Sequence, residues 1–150
     1  MNTATRPTLV LGSDHAGVEL KRFLQDNLTE CDCVDVGPSS SMSVDYPDFA
    51  HKACREVLED PDLRLGVLIC GSGIGMSMAA NRMDGIRAAL VENPYSARLA
   101  REHNHANVLC LGARILAPAY ALEIVRTWLT AIPSLDERHL SRIRKITPIV

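Results

Sequence analysis

Aromatic side chains are scarce in this 150-residue sequence, at 4%: one Trp, three Tyr and two Phe. A surface that stacks single-stranded nucleic acid needs several such rings, so that partner class is excluded. Charge of one sign is lacking too. Sixteen Lys and Arg against eighteen Asp and Glu leave a formal net charge of −2, too weak a field to gather polyanions or an anionic membrane. No apolar run approaches the length of about 18 residues that suggests a membrane helix. Residues 1–7 have no apolar stretch of the secretory-signal kind. The five cysteines, Cys31, Cys33, Cys54, Cys70 and Cys110, are odd in number and irregular in spacing, which argues against a secreted disulfide framework. The expectation is a cytoplasmic protein with free thiols. Lysine is the last shortage. Thirteen of the sixteen cations are Arg, the residue suited to a bidentate grip on anions.

What is present reads as an ordinary soluble globule, 47% apolar and 23% charged, and a chain of this length buries roughly two-thirds of its surface without staples. One domain over 1–150 is expected, with 1–7 flexible and 135–150 forming a C-terminal arm. Strands are expected at Thr8–Gly12, Cys33–Val36, Gly66–Cys70, Ile86–Val91 and Val108–Leu111. Gly66–Cys70 (GVLIC) is continuously apolar, as a central parallel strand covered on both faces must be. Between the strands, Leu20, Phe23, Leu24 and Leu28 recur with helical spacing. Tyr46-Pro47-Asp48 opens a second helix that closes near Asp60-Pro61, and a helix of small residues runs on from the glycine turn through Arg82. Asn93-Pro94 is a helix start with Asn as cap and Pro at the first position. Pro118 begins a helix carrying Ile124, Val125, Trp128 and Leu129, and an Arg-rich helix is expected over Leu135–Ile146. Five strands alternating with helices predict a parallel sheet with right-handed crossovers, an α/β fold.

In such a sheet, ligands bind beyond the carboxyl ends of the strands. Asp14 and His15 follow the first strand there. The Ser-rich loop Gly37–Val44 and then Asp45-Tyr46 follow the second. Cys70 and the turn Gly71-Ser72-Gly73-Ile74-Gly75 end the third, Glu92-Asn93 the fourth, and Arg114 follows the fifth. An acid, an imidazole, a thiol, a phenol and a guanidinium thus converge on one end. The glycine turn fails the dinucleotide fingerprint, because position 76 is Met and the turn follows the third strand rather than the first. A nucleotide- or phosphate-binding module, with Glu92 as the ribose acid, is the alternative that this failure weighs against. What remains is a helix N-terminus whose N–H groups are open to an anion.

A lone Cys at a strand end is ordinarily a small buried hydrophobe. Beside a helix N-terminus, however, its thiolate is stabilised, and Cys70 then qualifies as nucleophile or base. The other four cysteines read as packing residues. Cys31-x-Cys33 and His103-x-His105 lack the further ligands a metal site needs. His103 continues the helical stripe of Tyr95 and Leu99 and by itself reads as a structural histidine, while His51 and His139 read as solvated or half-buried. Arg138 and Arg142, four apart, share one face of the last helix. Leu140, Ile143 and Ile146 give that segment an apolar side, so it is expected to dock, and on a second subunit its arginines would complete a phosphate site.

The segments GSDHAG at 12–17, DYPDFA at 45–50, ICGSGIGMSMAANR at 69–82, GIRAAL at 85–90, NPYSARLAREHN at 93–104, NVLCLGAR at 107–114 and ERHLSRI at 137–143 resemble, in order, the ribose-5-phosphate isomerase B family, which includes galactose-6-phosphate isomerase subunits. The resemblance runs from residue 8 to about 146. It implies a Rossmann-like three-layer α/β/α sandwich and aldose–ketose isomerisation of a sugar phosphate, without metal or organic cofactor. It also implies a homodimer, in some members paired into tetramers, with sites shared between subunits. Cys70 falls on the catalytic base, which moves a proton between C1 and C2 through a cis-enediolate. Gly71, Gly73, Ile74 and Gly75 fall on the anion-hole turn, assisted by the Ser72 hydroxyl. Asp14 and His103 match ring-opening and hydroxyl-binding positions, with His103 reaching in from the partner. His15, Arg114, Arg138 and Arg142 match the phosphate set, and Tyr46 and Asn104 match substrate contacts. Two departures stand out. Ser72 replaces the commoner Thr, and Met76 stands where some relatives carry a Glu base, which assigns this chain to the cysteine branch. The other candidate substrates are a hexose 6-phosphate and a four-carbon erythrulose phosphate.

Overall fold

A computed structural model of the chain describes residues 6–146. The elements run β1 (Thr8–Ser13), a 3₁₀ turn (His15–Gly17), α1 (Val18–Asn27), β2 (Asp32–Asp35), α2 (Tyr46–Glu59), β3 (Arg64–Cys70), α3 (Ile74–Ala80), β4 (Ala88–Leu90), α4 (Pro94–Asn104), β5 (Val108–Gly112), α5 (Pro118–Thr130) and α6 (Glu137–Arg144). The five strands form one sheet in the order β2-β1-β3-β5-β4, and all four pairings are parallel. The expected five-stranded parallel architecture is therefore the observed one.

Strand side chains alternate between two layers of core, as the two-residue period requires. Leu9, Leu11, Val67, Ile69, Leu109 and Leu111 pack with the inner faces of α1, α4 and α5, and Trp128 lies in this layer. Val10, Leu68, Cys70, Val108 and Cys110 face the other way, against α2 and α3. The sheet is thus covered on both sides, which is why its central strands are apolar along their buried stretches, Leu9–Leu11, Leu65–Cys70 and Val108–Leu111. The alternation also decides where the Cys70 thiol points: toward the layer that contains the glycine turn and α2.

Several boundaries differ from the sequence expectation, each for a local reason. The fourth strand begins at Ala88 rather than Ile86, because Ile86 N–H goes to Met83 O and Arg87 N–H to the Asn107 side chain. The helix after the glycine turn stops at Ala80 rather than Arg82. Asn81 leaves it to bond Ala88 through both polar atoms of its amide, at 2.8 and 2.9 Å. The second strand is Asp32–Asp35 rather than Cys33–Val36, and Val36 N–H still reaches Leu11 O at 2.9 Å. The last helix is the shorter Glu137–Arg144, begun by Asp136, whose side chain accepts Arg138 N–H. The Asn93 cap is as expected, accepting Ser96 N–H at 2.8 Å. Of the segment 1–7, residues 1–5 lie outside the described residues, as do 147–150 of the arm. Pro7 O accepts Asp32 N–H at 3.1 Å. Among the described residues no helix is long and apolar enough to cross a membrane.

Candidate active site

β1, β3 and β5 lie side by side, so Ser13, Cys70 and Gly112 end together at the carboxyl edge. Three backbone bonds tie the loops that leave this edge: Asp14 N–H to Ile69 O at 3.0 Å, Ala113 N–H to Cys70 O at 2.8 Å, and Arg114 N–H to Gly71 O at 3.0 Å. Asp14 and Arg114 are thereby fixed on either side of the Cys70 turn. Between them is a cavity of about 350 Å³ lined by Asp14, Tyr46, Cys70, Gly71, Ser72, Gly75, Arg114 and Ile115. Seven of these eight came from the sequence. Ile115, exposed at the mouth, was missed, and nothing in its local pattern marks it.

Cys70 is only 5% exposed, and its Sγ accepts the Gly73 N–H at 3.2 Å. That donor sits at the cap of α3, where Gly73 adopts φ 79°. An L side chain is strained in this left-handed region, so the thiol's hydrogen-bond donor depends on glycine there. Ser72 Oγ accepts Ile74 N–H at 3.3 Å, which leaves the hydroxyl hydrogen free to donate. Gly75 serves closeness. A Cβ there would stand 2.6 Å from Cζ of Tyr46, so the phenol ring lies directly on the turn. Gly75→Ala must therefore push Tyr46 away; the expected result is a KM raised about fivefold to tenfold at unchanged melting temperature. Steady-state kinetics beside a thermal melt check it.

The Asp14 carboxylate accepts Ala16 N–H at 2.9 Å through Oδ1, which orients it and leaves Oδ2 for a ligand. The Arg114 guanidinium lies over Gly71, where a Cβ would stand 3.0 Å from Nη1. His15 Nδ1 accepts Val44 N–H at 3.2 Å, so a neutral His15 carries its proton on Nε2. That bond also holds the far end of the 37–44 loop. The near end is held by Lys21, fully buried, whose Nζ lies 2.7 Å from Asp35 Oδ1 and 2.6 Å from Pro38 O. Arg22 adds a bond to Ser39 O. Lys21 shares the i, i+3, i+7 face of Leu24 and Leu28, but its charge hid it from a hydrophobic reading. Ser13 Oγ is buried at the end of β1 without a protein partner.

The remaining cysteines behave as packing residues. Burial pushes the Cys54 thiol up to about 12 and raises Cys110 further from ionisation. Cys33, lowered by a hydrogen bond from Cys31, pairs with Leu9 at the opposite end of the sheet from the cavity.

His103, Asn104, Arg138 and Arg142 do not line the Cys70 cavity. Asn104 borders a second cavity of about 540 Å³, between the β4 edge and α6, with Arg87, Ile143 and Ile146. His139 is a correction to the sequence reading. It is buried, not half-solvated, and its ring stacks on His103 with centroids 4.2 Å apart and planes at 8°. One chain therefore presents two half-sets: a thiol with its donors, and a separate pair of helices carrying imidazole and guanidinium.

The family model for ribose/galactose isomerases matches residues 9–146. The ribose-5-phosphate isomerase B of Escherichia coli is 40% identical over 143 residues, 94% of this chain and 95% of that one. Among solved structures, a ribose 5-phosphate isomerase from Thermotoga maritima superposes with a TM-score of 0.90 at 44% identity, covering 95% of this chain and 99% of the other. The ribose-5-phosphate isomerase B of Mycoplasma genitalium, solved with bound ribulose-5-phosphate, gives 0.88 at 41%, covering 93% of each chain.

Proposed function

The chain belongs to the ribose/galactose isomerase family, and from that premise we propose that it interconverts D-ribose 5-phosphate and D-ribulose 5-phosphate, with Cys70 as the base. The observation that carries this reading is the Cys70 Sγ at the cavity floor, 3.2 Å from the Gly73 N–H. In the open-chain aldose, the Cys70 thiolate takes the proton from C2. The C2–H electron pair becomes the C1–C2 double bond and the carbonyl electrons move to O1. The resulting cis-enediolate takes the proton back from the thiol at C1, and the proton released by the C2 hydroxyl is taken up at O1, so that C1 ends as an alcohol and C2 as the ketone. The Gly73 N–H supports the thiolate before transfer, and the free hydrogen of Ser72, with the turn N–H groups that are not bonded to Cys70 or Ser72, serves the developing oxyanion. Such preorganised donors lower the barrier because they need no rearrangement as charge forms.

Asp14 and His103 open the furanose and hold its hydroxyls, and Tyr46 and Asn104 complete the sugar contacts. His15, Arg114, Arg138 and Arg142 bind the phosphate, whose anchoring places the reacting carbons against Sγ. Since His103, Asn104, Arg138 and Arg142 are away from the Cys70 cavity of their own chain, the working unit is a homodimer. Each site then takes its thiol from one subunit and its α4–α6 residues from the other. The arm that begins at residue 135 is the element that reaches across, and residues 9–146 make one isomerase domain.

Arg142→Ala removes one guanidinium from an exposed helix face, so the expected result is a KM raised about tenfold to a hundredfold with kcat within a few-fold. An unchanged KM takes it out of the phosphate site. Substrate choice is tested with a coupled assay over four-, five- and six-carbon aldose and ketose phosphates. The five-carbon pair should show the highest kcat/KM, and a better four- or six-carbon substrate overturns the assignment.

A further inference from the structure

We infer that His139 is a positioning residue for this isomerisation: stacked on His103, it orients that imidazole and seats the arginine-bearing helix α6 against α4. The inference rests on the role of His103 proposed above.

Helix α6 is short, and its approach is pinned to the end of α4 by two bonds. Ser134 N–H donates to Glu102 O at 2.8 Å, and His105 Nε2 meets Ser134 O at 2.7 Å. His105 can turn back this way because it caps α4 in the left-handed conformation, at φ 48°. Those bonds fix where α6 starts but not its rotation about its own axis. The rotation is fixed by His139, the buried residue of α6, through its face-to-face contact with His103. At 100° per residue, Arg138 and Arg142 lie together on one flank of His139. Any roll of α6 that breaks the stack therefore carries both guanidinium groups out of register with a phosphate. Asp136 steadies the first turn: its Oδ1 accepts Arg138 N–H and its Oδ2 lies 3.0 Å from Arg138 Nε.

The stack also bears on the proton. A histidine that opens a sugar ring passes through its imidazolium form. Two imidazolium rings at 4.2 Å repel, so the pair favours a single proton. His139 is held below the usual histidine range, first by burial, then by the nearby charges of His103, Arg138 and Arg142, with Asp136 alone opposing. Glu102 and His105, on the last turn of α4 and its cap, are the titratable residues that hold the approach to α6, both through Ser134. Because the folded state binds fewer protons at this site than the unfolded chain, the seating is complete above the ordinary histidine value of about 6.5 and is lost as pH falls below it.

Three purified variants assayed beside the wild type test this. His139→Ala removes the stack: KM for ribose 5-phosphate should rise about tenfold and kcat fall about fivefold. His139→Phe keeps a flat ring that cannot take a proton and should recover most of both losses at pH 7.5. From pH 7 to 5.5 its KM should climb less steeply than that of the wild type, and the ratio of the two profiles cancels the titration of the substrate's phosphate. Unchanged kcat and KM in His139→Ala, whatever its melting temperature, overturn the inference. So does a His139→Phe profile that superposes on the wild type, which decides the matter if the Ala variant does not fold. His103→Asn separates the two readings. An active His103→Asn refutes the proposed role of His103 itself; an inactive one beside an unaffected His139→Ala refutes only the positioning role.

Discussion

Cys70→Ala is expected to leave a folded protein that still binds its sugar phosphate but turns it over about 10²–10⁴ times more slowly, the span that a positioned general base supplies. Sγ is the group at the cavity floor that receives a turn N–H, and the cavity lining holds no second thiol. Met76, at the position after the glycine turn, is buried and apolar, so it cannot take over the proton transfer. The phosphate contacts are untouched, so KM should move by no more than a few-fold. Exchange of the C2 hydrogen with deuterated solvent should fall in parallel with kcat, because both need the same proton removal. Cys33→Ala is the control. Its thiol is held low by the hydrogen bond from Cys31, yet it sits at the other end of the sheet, away from the Cys70 cavity, and turnover should not change. Retention of more than about a tenth of wild-type turnover in Cys70→Ala is incompatible with a general-base role of that size.

Much of this half-site was legible because it is local in sequence. The thiol, its N–H donor and the hydroxyl lie within four residues, and an apolar strand running into alternating glycines places them at a strand end whatever the rest of the fold does. The core was legible for a similar reason: alternation in β1, β3 and β5 and the stripe of α1 repeat with periods that a single segment carries. What escaped depends on partners far along the chain. Lys21 is buried because Asp35 and Pro38 come to it. β4 is short because Asn107 and Asn81 take its flanking polar groups. Ile115 lines the site only because Gly112 turns back over Ser72. His139 looked solvated or half-buried because the ring that covers it is 36 positions away. The resemblance of the whole chain to one family supplied what neither period nor spacing does: roles for residues that one chain does not bring together.

That separation leads to the second expected result, which concerns two inactive proteins. Cys70→Ala and His103→Asn, each dead as a homodimer, should regain activity when their subunits are mixed and allowed to exchange. In a symmetric dimer whose sites are each built from both chains, the mixed species holds one site with both defects and one with neither. Random pairing makes half of the dimers mixed, so the expected recovery is roughly a quarter of the wild-type rate per total subunit. If each chain instead supplied its own Cys70 and His103, every site in the mixture would carry one defect, and no recovery could occur at any ratio. The same logic extends to Arg142→Ala mixed with Cys70→Ala, where the recovered fraction should show the wild-type KM rather than the raised one. His103→Asn mixed with Arg142→Ala should yield no site with wild-type KM and full turnover, because both residues ride on the same α4–α6 unit: in the mixed dimer each site takes the whole unit from one chain, and thus one defect or the other. Recovery in the first two mixtures and none in the third would establish which residues travel together. Activity in the third mixture with wild-type KM would mean that α4 and α6 of one chain serve different sites, which the His103–His139 stack forbids.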